Sequence, residues 1–120
     1  MSKNFKISFL LVFYGDLLTE KQREAIENYY NEDLSLSEIA ANQGISRQGV
    51  RDAIKRAESL LIDMENHLGL AKKFCKMQEG LKLILDQVIF IEKVNHKMCL
   101  SNDILKSTDI IKKTIKDLSD

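Results

Sequence analysis

Between residues 46 and 57 the chain sets Arg47, Arg51, Lys55 and Arg56 against a single acid, Asp52, while over the whole molecule 18 basic and 18 acidic side chains cancel. Arg and Lys neutralise phosphates, Arg can hold a guanine edge through two hydrogen bonds, and Gln, here Gln48, does the same for adenine. A helix of 3.6 residues per turn puts Val50, Ala53, Ile54 and Ala57 on one face. Gln48, Asp52 and Lys55 then point away from that face, Arg51 and Arg56 flank them, and Ser46 and Arg47 occupy the N-terminal tip. The arrangement is that of a recognition helix presenting side chains to a groove, its positive end near a phosphate. Ser46, Arg47, Gln48, Arg51, Asp52, Lys55 and Arg56 are therefore the candidate nucleic-acid surface. The competing reading is a solvated outer face, since Glu20, Glu24, Glu27, Glu32, Asp33 and Glu38 in the same half would repel phosphate.

Such a helix needs a partner helix and a tight turn. A helix-turn-helix requires a small residue where its helices cross, a residue tolerant of the left-handed conformation in the turn, and apolar residues along the inner face. Ala40, Gly44 and Ile45 fill these places as crossing residue, turn and inward plug, with Ile39, Val50, Ala53 and Ile54 facing the core. Ser35 with Glu38 forms a capping box, Leu34 is placed to staple onto Ile39, and Ser46 caps the next helix. That helix continues through Ala57, Leu60, Leu61 and Met64 to a stop at Gly69. Gly49 within it either admits close approach of a partner or packs against a neighbouring helix.

Upstream, residues 3–14 read as a helix with Phe5, Phe9, Val12 and Phe13 on its inner face, widened by Leu10 and Leu11 until it looks buried nearly all round. Gly15 and Asp16 break it. Thr19 and Gln22 then form a capping box for a second helix with Leu18, Ala25, Ile26, Tyr29 and Tyr30 inside. The expected fold is all-α. A four-helix bundle containing the helix-turn-helix, over residues 1–68, precedes a long helix and a shorter one over residues 69–120.

Composition closes off other classes. One hundred and twenty residues exclude a large multi-domain enzyme, and 44% hydrophobic residues are too many for a disordered chain. The absence of Pro and only 5 Gly favour helix throughout. No phosphate-cradling glycine loop, nucleophile motif or metal-spaced cluster occurs, so catalytic residues, metal and cofactor are expected to be none. His67 reads as a helix C-terminal residue and His96 as a flank of an apolar seam. Cys75 and Cys99 lack paired spacing and read as buried thiols of a reducing cytoplasm. The apolar stretch 7–14 is short and has no small-x-small cleavage site, and no run reaches the roughly 18 apolar residues of a membrane span. A cytoplasmic chain without membrane insertion is expected.

Charge is divided between the halves, net −3 over residues 1–66 and net +3 over 67–120. In the second half, Leu70, Phe74, Met77, Leu81, Ile84, Val88, Ile91, Asn95 and Met98 alternate spacings of four and three, a heptad seam broken only by Asn95. Leu85, Ile89 and Phe90 widen the stripe. After a cap at Ser101 and Asn102, Ile104, Thr108, Ile111, Ile115 and Leu118 repeat the spacing in a last helix that can fold back over one side. So much apolar surface calls for a further partner, and a second copy of the chain is the simplest. Phe74, Met77, Leu81, Ile84, Val88 and Ile91 are the candidate homodimer interface, with Asn95 setting register and two heads available for paired half-sites. The alternative is a monomer whose seam packs on its own N-terminal helices.

The quoted positions also carry a resemblance. Leu18, Thr19, Glu20, Lys21, Gln22, Arg23 and Glu24, then Tyr29 and Tyr30, then the stretches 33–40 and 44–57, with the opening 10–15, resemble the YlxM family of bacterial helix-turn-helix proteins over about residues 5–70. More distantly they are similar to the fourth region of sigma factors, which reads the promoter −35 element. The resemblance implies a regulatory protein of the signal recognition particle pathway, because family genes lie beside those of its GTPases Ffh and FtsY. It implies DNA or signal recognition particle RNA as partner through Ser46, Arg47, Gln48, Arg51 and Lys55, or, alternatively, an accessory protein binding Ffh or FtsY without specific DNA recognition. Beyond about residue 75 the reading rests on periodicity alone.

Overall fold

In the computed structural model, which describes residues 5–99 and 101–119, six α-helices follow one another: α1 (Phe5–Tyr14), α2 (Glu20–Tyr30), α3 (Leu36–Gln43), α4 (Arg47–Leu68), α5 (Leu70–Met98) and α6 (Asn102–Ser119). A 3-10 turn, Gly15–Leu17, joins α1 to α2, and there is no strand among the described residues. The fold is all-α, as expected. The chain divides into two compact units, residues 1–72 and 73–120, so the first turn of α5 belongs with the N-terminal unit. No helix among the described residues is long and apolar enough to cross a membrane.

In the N-terminal unit α1, α2 and α3 all pack against α4. Val50, Ile54, Ala57 and Leu61, one residue per turn of α4, are completely buried and meet Ile7, Leu10, Ile26 and Ile39 in one core. The caps are where the sequence places them. Thr19 and Gln22 exchange hydrogen bonds of 3.2 Å at the start of α2, and Ser35 and Glu38 do so at 3.1 and 3.2 Å at the start of α3. Leu18, Ala25, Ile26, Tyr29 and Tyr30 are all buried, as their stripe requires.

Several expectations change. The buried face of α1 consists of Ile7, Leu10, Leu11 and Tyr14, whereas Phe5 is 83% and Val12 78% exposed. Choosing a face by its aromatics misplaced it by nearly half a turn, because a helix apolar nearly all round has no periodicity to orient it. Its proposed first residues, Lys3 and Asn4, lie outside the described residues. Gly15 and Asp16 do not simply break the chain but tighten it into the 3-10 turn. Leu60 and Ile45 are exposed: Leu60 stands beyond the edge of the α4 stripe, and Ile45 lies over the turn rather than plugging it. Cys75 and Cys99 are both exposed free thiols, since Cys75 falls on the solvent side of α5 and Cys99 in the turn after it.

The junction at Gly69 is built from polar groups. The Tyr14 hydroxyl donates to Glu65 Oε1 at 2.6 Å and accepts from the Leu70 N–H at 3.1 Å. The same carboxylate accepts from the Ala71 and Lys72 N–H groups at 3.0 and 3.1 Å, capping α5 across the left-handed Gly69. The Tyr14 hydroxyl bond, opposed by partial burial and helped by the two backbone N–H groups, holds the Glu65 carboxyl below its ordinary pKa. Burial, then the bond to Glu65, raises the pKa of Tyr14.

In the C-terminal unit α6 returns along α5. Glu92 on α5 accepts from Thr108 Oγ1 at 2.7 Å and from Lys112 Nζ at 2.9 Å. Asn95 is engaged within the chain. Its Nδ2 donates to the Ser101 carbonyl and its Oδ1 accepts from the Ser101 N–H, both at 2.8 Å, clamping the turn between the two helices. Ser101 Oγ in turn caps α6 through the N–H groups of Asp103 and Ile104. Val88, Thr108 and Ile115 are buried.

Two outcomes test this architecture. Gly44 sits at φ +68° with nothing near its Cα to clash, so Gly44→Val should lose about 1–3 kcal/mol from backbone strain alone and Gly44→Asn much less, read by urea unfolding. A folded-state pKa below the unfolded one means that Glu65 stabilises the chain above the ordinary glutamate range, an increment lost as pH falls through its lowered pKa. Glu65→Gln should therefore melt lower at neutral pH and show a shallower fall of Tm on acidification.

Candidate nucleic-acid interface

The α3–α4 pair forms the helix-turn-helix. Ala40 is buried at the crossing, its carbonyl accepts from the Gly44 and Ile45 N–H groups, and Gly44 carries the left-handed turn. Ser46, with φ −73° and ψ 158°, caps α4 by accepting from the Gly49 N–H at 3.0 Å. Gly49 is explained locally: a Cβ there would stand 3.3 Å from Ser46 Oγ and 3.5 Å from Ile45 Cδ1, so the cap and the turn fill its space rather than a neighbouring helix.

With the Val50, Ile54, Ala57 and Leu61 stripe buried, the rest of α4 is turned outward. Ser46, Arg47, Gln48, Arg51, Asp52, Lys55 and Arg56 are all exposed. Ser46, Arg47, Gln48 and Arg51 line one groove with Leu36 of α3, at the positive end of the 22-residue α4 helix. Lys55 and Arg56 are brought instead into a second groove with Gln22 of α2 and Ser59, Leu60 and Asp63 of α4. Sequence reasoning missed Gln22, Leu36 and Ser59; Ser59 could have been found by continuing the outward row from Asp52 through Lys55 and Arg56, but Gln22 and Leu36 come from other helices.

Two members of the surface engage each other: Gln48 Nε2 donates to Asp52 Oδ1 at 3.0 Å. Asp52 thus orients the amide one turn above it. Among the described residues none of Arg47, Arg51, Lys55 and Arg56 is held in an ion pair. Several nearby acids are engaged elsewhere. Asp16 and Glu27 bind Arg23, Glu38 closes the α3 capping box, and Glu58 accepts from the Tyr30 hydroxyl at 2.5 Å.

A small all-helical chain with a capped helix-turn-helix and an exposed cationic second helix defines a class, the helix-turn-helix proteins. Residues 1–101 match the family UPF0122, described as "Putative helix-turn-helix protein, YlxM / p13 like". The chain is 41% identical over 115 residues to a UPF0122 protein of Clostridium novyi, covering 96% of each. It is 46% identical over 86 residues to one of Clostridium kluyveri, covering 72% of this chain and 78% of that one. A relative from Caldanaerobacter subterraneus is 51% identical over 78 residues, 65% of this chain and 67% of the other. The chain belongs to the UPF0122/YlxM family, and the match reaches past residue 75 into α5, further than the quoted motifs. The family is described as one of helix-turn-helix proteins, the class that the α3–α4 pair defines here.

The cap supports the tip of the interface, so Ser46→Ala should cost about 1 kcal/mol in denaturant unfolding while leaving the helical circular dichroism of the folded state intact.

Proposed function

We propose that the chain is a regulatory helix-turn-helix protein of the signal recognition particle pathway that binds nucleic acid, DNA or the particle's RNA, through the outward face of α4. The observation that carries this reading is the set of four exposed cations, Arg47, Arg51, Lys55 and Arg56, without ion-pair partners among the described residues. They lie on a helix whose capped N-terminus is exposed beside them. Phosphate binding needs such uncommitted charge, because an arginine already paired with a carboxylate must lose that partner first. Gln48, oriented by Asp52, is the residue of this face suited to a base edge. Membership of the YlxM family supports the pathway assignment.

A second reading, an accessory protein docking on Ffh or FtsY, is favoured by one observation: Phe5 and Val12 on α1 and Leu17 after it are exposed apolar side chains of the kind protein partners cover.

Arg47→Ala and Arg51→Ala test the first reading. Each should weaken binding to DNA fragments or to the particle RNA and lower the slope of log affinity against log salt by about 0.7–0.9 per phosphate contact removed. Unfolding free energies should change by no more than about 0.5 kcal/mol, since both residues are on the surface. Absence of binding to either nucleic acid at low salt would sink this reading and leave the GTPases to be tested by affinity capture.

A further inference from the structure

We propose that the α5–α6 hairpin is half of a four-helix bundle completed by a second copy of this chain, stacked so that α5 of each copy lies on α6 of the other. The argument begins with the two flanks of the hairpin. One is closed by polar contacts: Glu92 to Thr108 and Lys112, and Asn95 to Ser101. The opposite flank is apolar. Ile84, Ile91 and Met98 on α5 and Ile104, Ile111 and Leu118 on α6 repeat at heptad spacing along it, and all but the half-buried Ile104 are exposed. Val94 and Phe90 join Ile91 and Ile104 around a groove there.

Two antiparallel helices can bury one row of a heptad seam between them and must leave the other open. Val88, Asn95, Thr108 and Ile115 are the buried row. The open row is what a second pair of helices covers in a four-helix bundle. Val88 and, in part, Leu81 are therefore already used within the chain, and the dimer contact moves from the seam as a whole to the open row.

Charge identifies the occupant and its orientation. Between Gly80 and Val94 the open sector of α5 carries no charge, so it offers nothing to an ionic partner and fits an apolar copy of itself. Its outer edges are of opposite sign. Lys76 and Lys97 stand on the α5 edge, Asp103 and Asp117 on the α6 edge, all exposed. A two-fold axis parallel to the helices lays α5 on the second copy's α6 and brings unlike edges together; an axis across the helices stacks like on like. Thr108 is level with Glu92, which puts Ile110 level with Phe90 and Asp103 level with Lys97. In the favoured stacking Phe90 and Ile110, exposed by 61% and 65% in the single chain, face each other across the copies, and each Lys97 meets the other copy's Asp103.

Light scattering of the full chain at micromolar concentration should give twice 13.8 kDa. Phe90→Glu and Ile110→Glu, at positions too exposed to disturb the hairpin itself, should each return 13.8 kDa with unchanged helical circular dichroism. Lys97→Glu and Asp103→Lys should each raise the dimer dissociation constant roughly tenfold, acting at two symmetry-related edges, and the double exchange should restore it. A parent mass of 13.8 kDa, or a dimer indifferent to Phe90→Glu, would overturn the proposal. Charge reversals that add instead of cancelling would overturn the stacking.

Discussion

Everything in the N-terminal unit depends on the burial of one stripe of α4. Val50, Ile54, Ala57 and Leu61 lose all contact with water, and three other helices are arranged around them. Burying four apolar side chains contributes several kcal/mol, about 1.5–3 for each larger one, which is comparable with the net stability of a small domain. The consequence for function is geometric. Because that stripe cannot rotate away from the core, the opposite side of the same helix is fixed facing water, and with it Gln48, Arg51, Asp52 and Lys55. The structural and functional faces of α4 are one constraint seen from two sides.

Polar groups decide where that helix begins and ends. Ser46 satisfies the N–H of Gly49 at one end, and Gly69 at φ +64° terminates the other. The carboxylate of Glu65 then serves two masters, the hydroxyl of Tyr14 and the first free N–H groups of α5. A buried tyrosine thereby has its hydroxyl satisfied, and the start of a 29-residue helix gains a negative charge where its dipole favours one. The C-terminal unit uses the same device at smaller scale. Asn95 presents amide donor and acceptor to a single residue, Ser101, so side-chain bonds tie the end of α5 to the start of α6.

The distribution of charge follows from which groups find partners. Arg23 is drawn between Asp16 and Glu27, and Lys112 to Glu92, whereas Arg47, Arg51, Lys55 and Arg56 of α4 form no ion pair among the described residues. A molecule neutral in total can therefore carry a local cationic surface. The range of such a surface in physiological salt is about one Debye length, roughly 8 Å, which suits contact recognition better than long-range steering.

The sequence by itself determined the features that arise within a few residues of one another. Capping boxes at Thr19 and Ser35, the left-handed Gly44 and Gly69, the amphipathic faces of α2 and α4 and hence the seven exposed residues from Ser46 to Arg56 are all local consequences of helix periodicity and hydrogen-bond geometry. Tertiary structure decided what periodicity leaves degenerate. α1 is apolar on nearly every side, so only packing against α4 could select Ile7, Leu10, Leu11 and Tyr14 over Phe5 and Val12. Asn95 reads as a polar break in a seam until the return of the chain places Ser101 beside it. Leu36 and Gln22 enter the two grooves of the candidate interface from other helices, and no spacing along α4 contains them. Local rules fix which face of a helix is apolar; which of several apolar faces is buried depends on contacts between residues far apart in the chain.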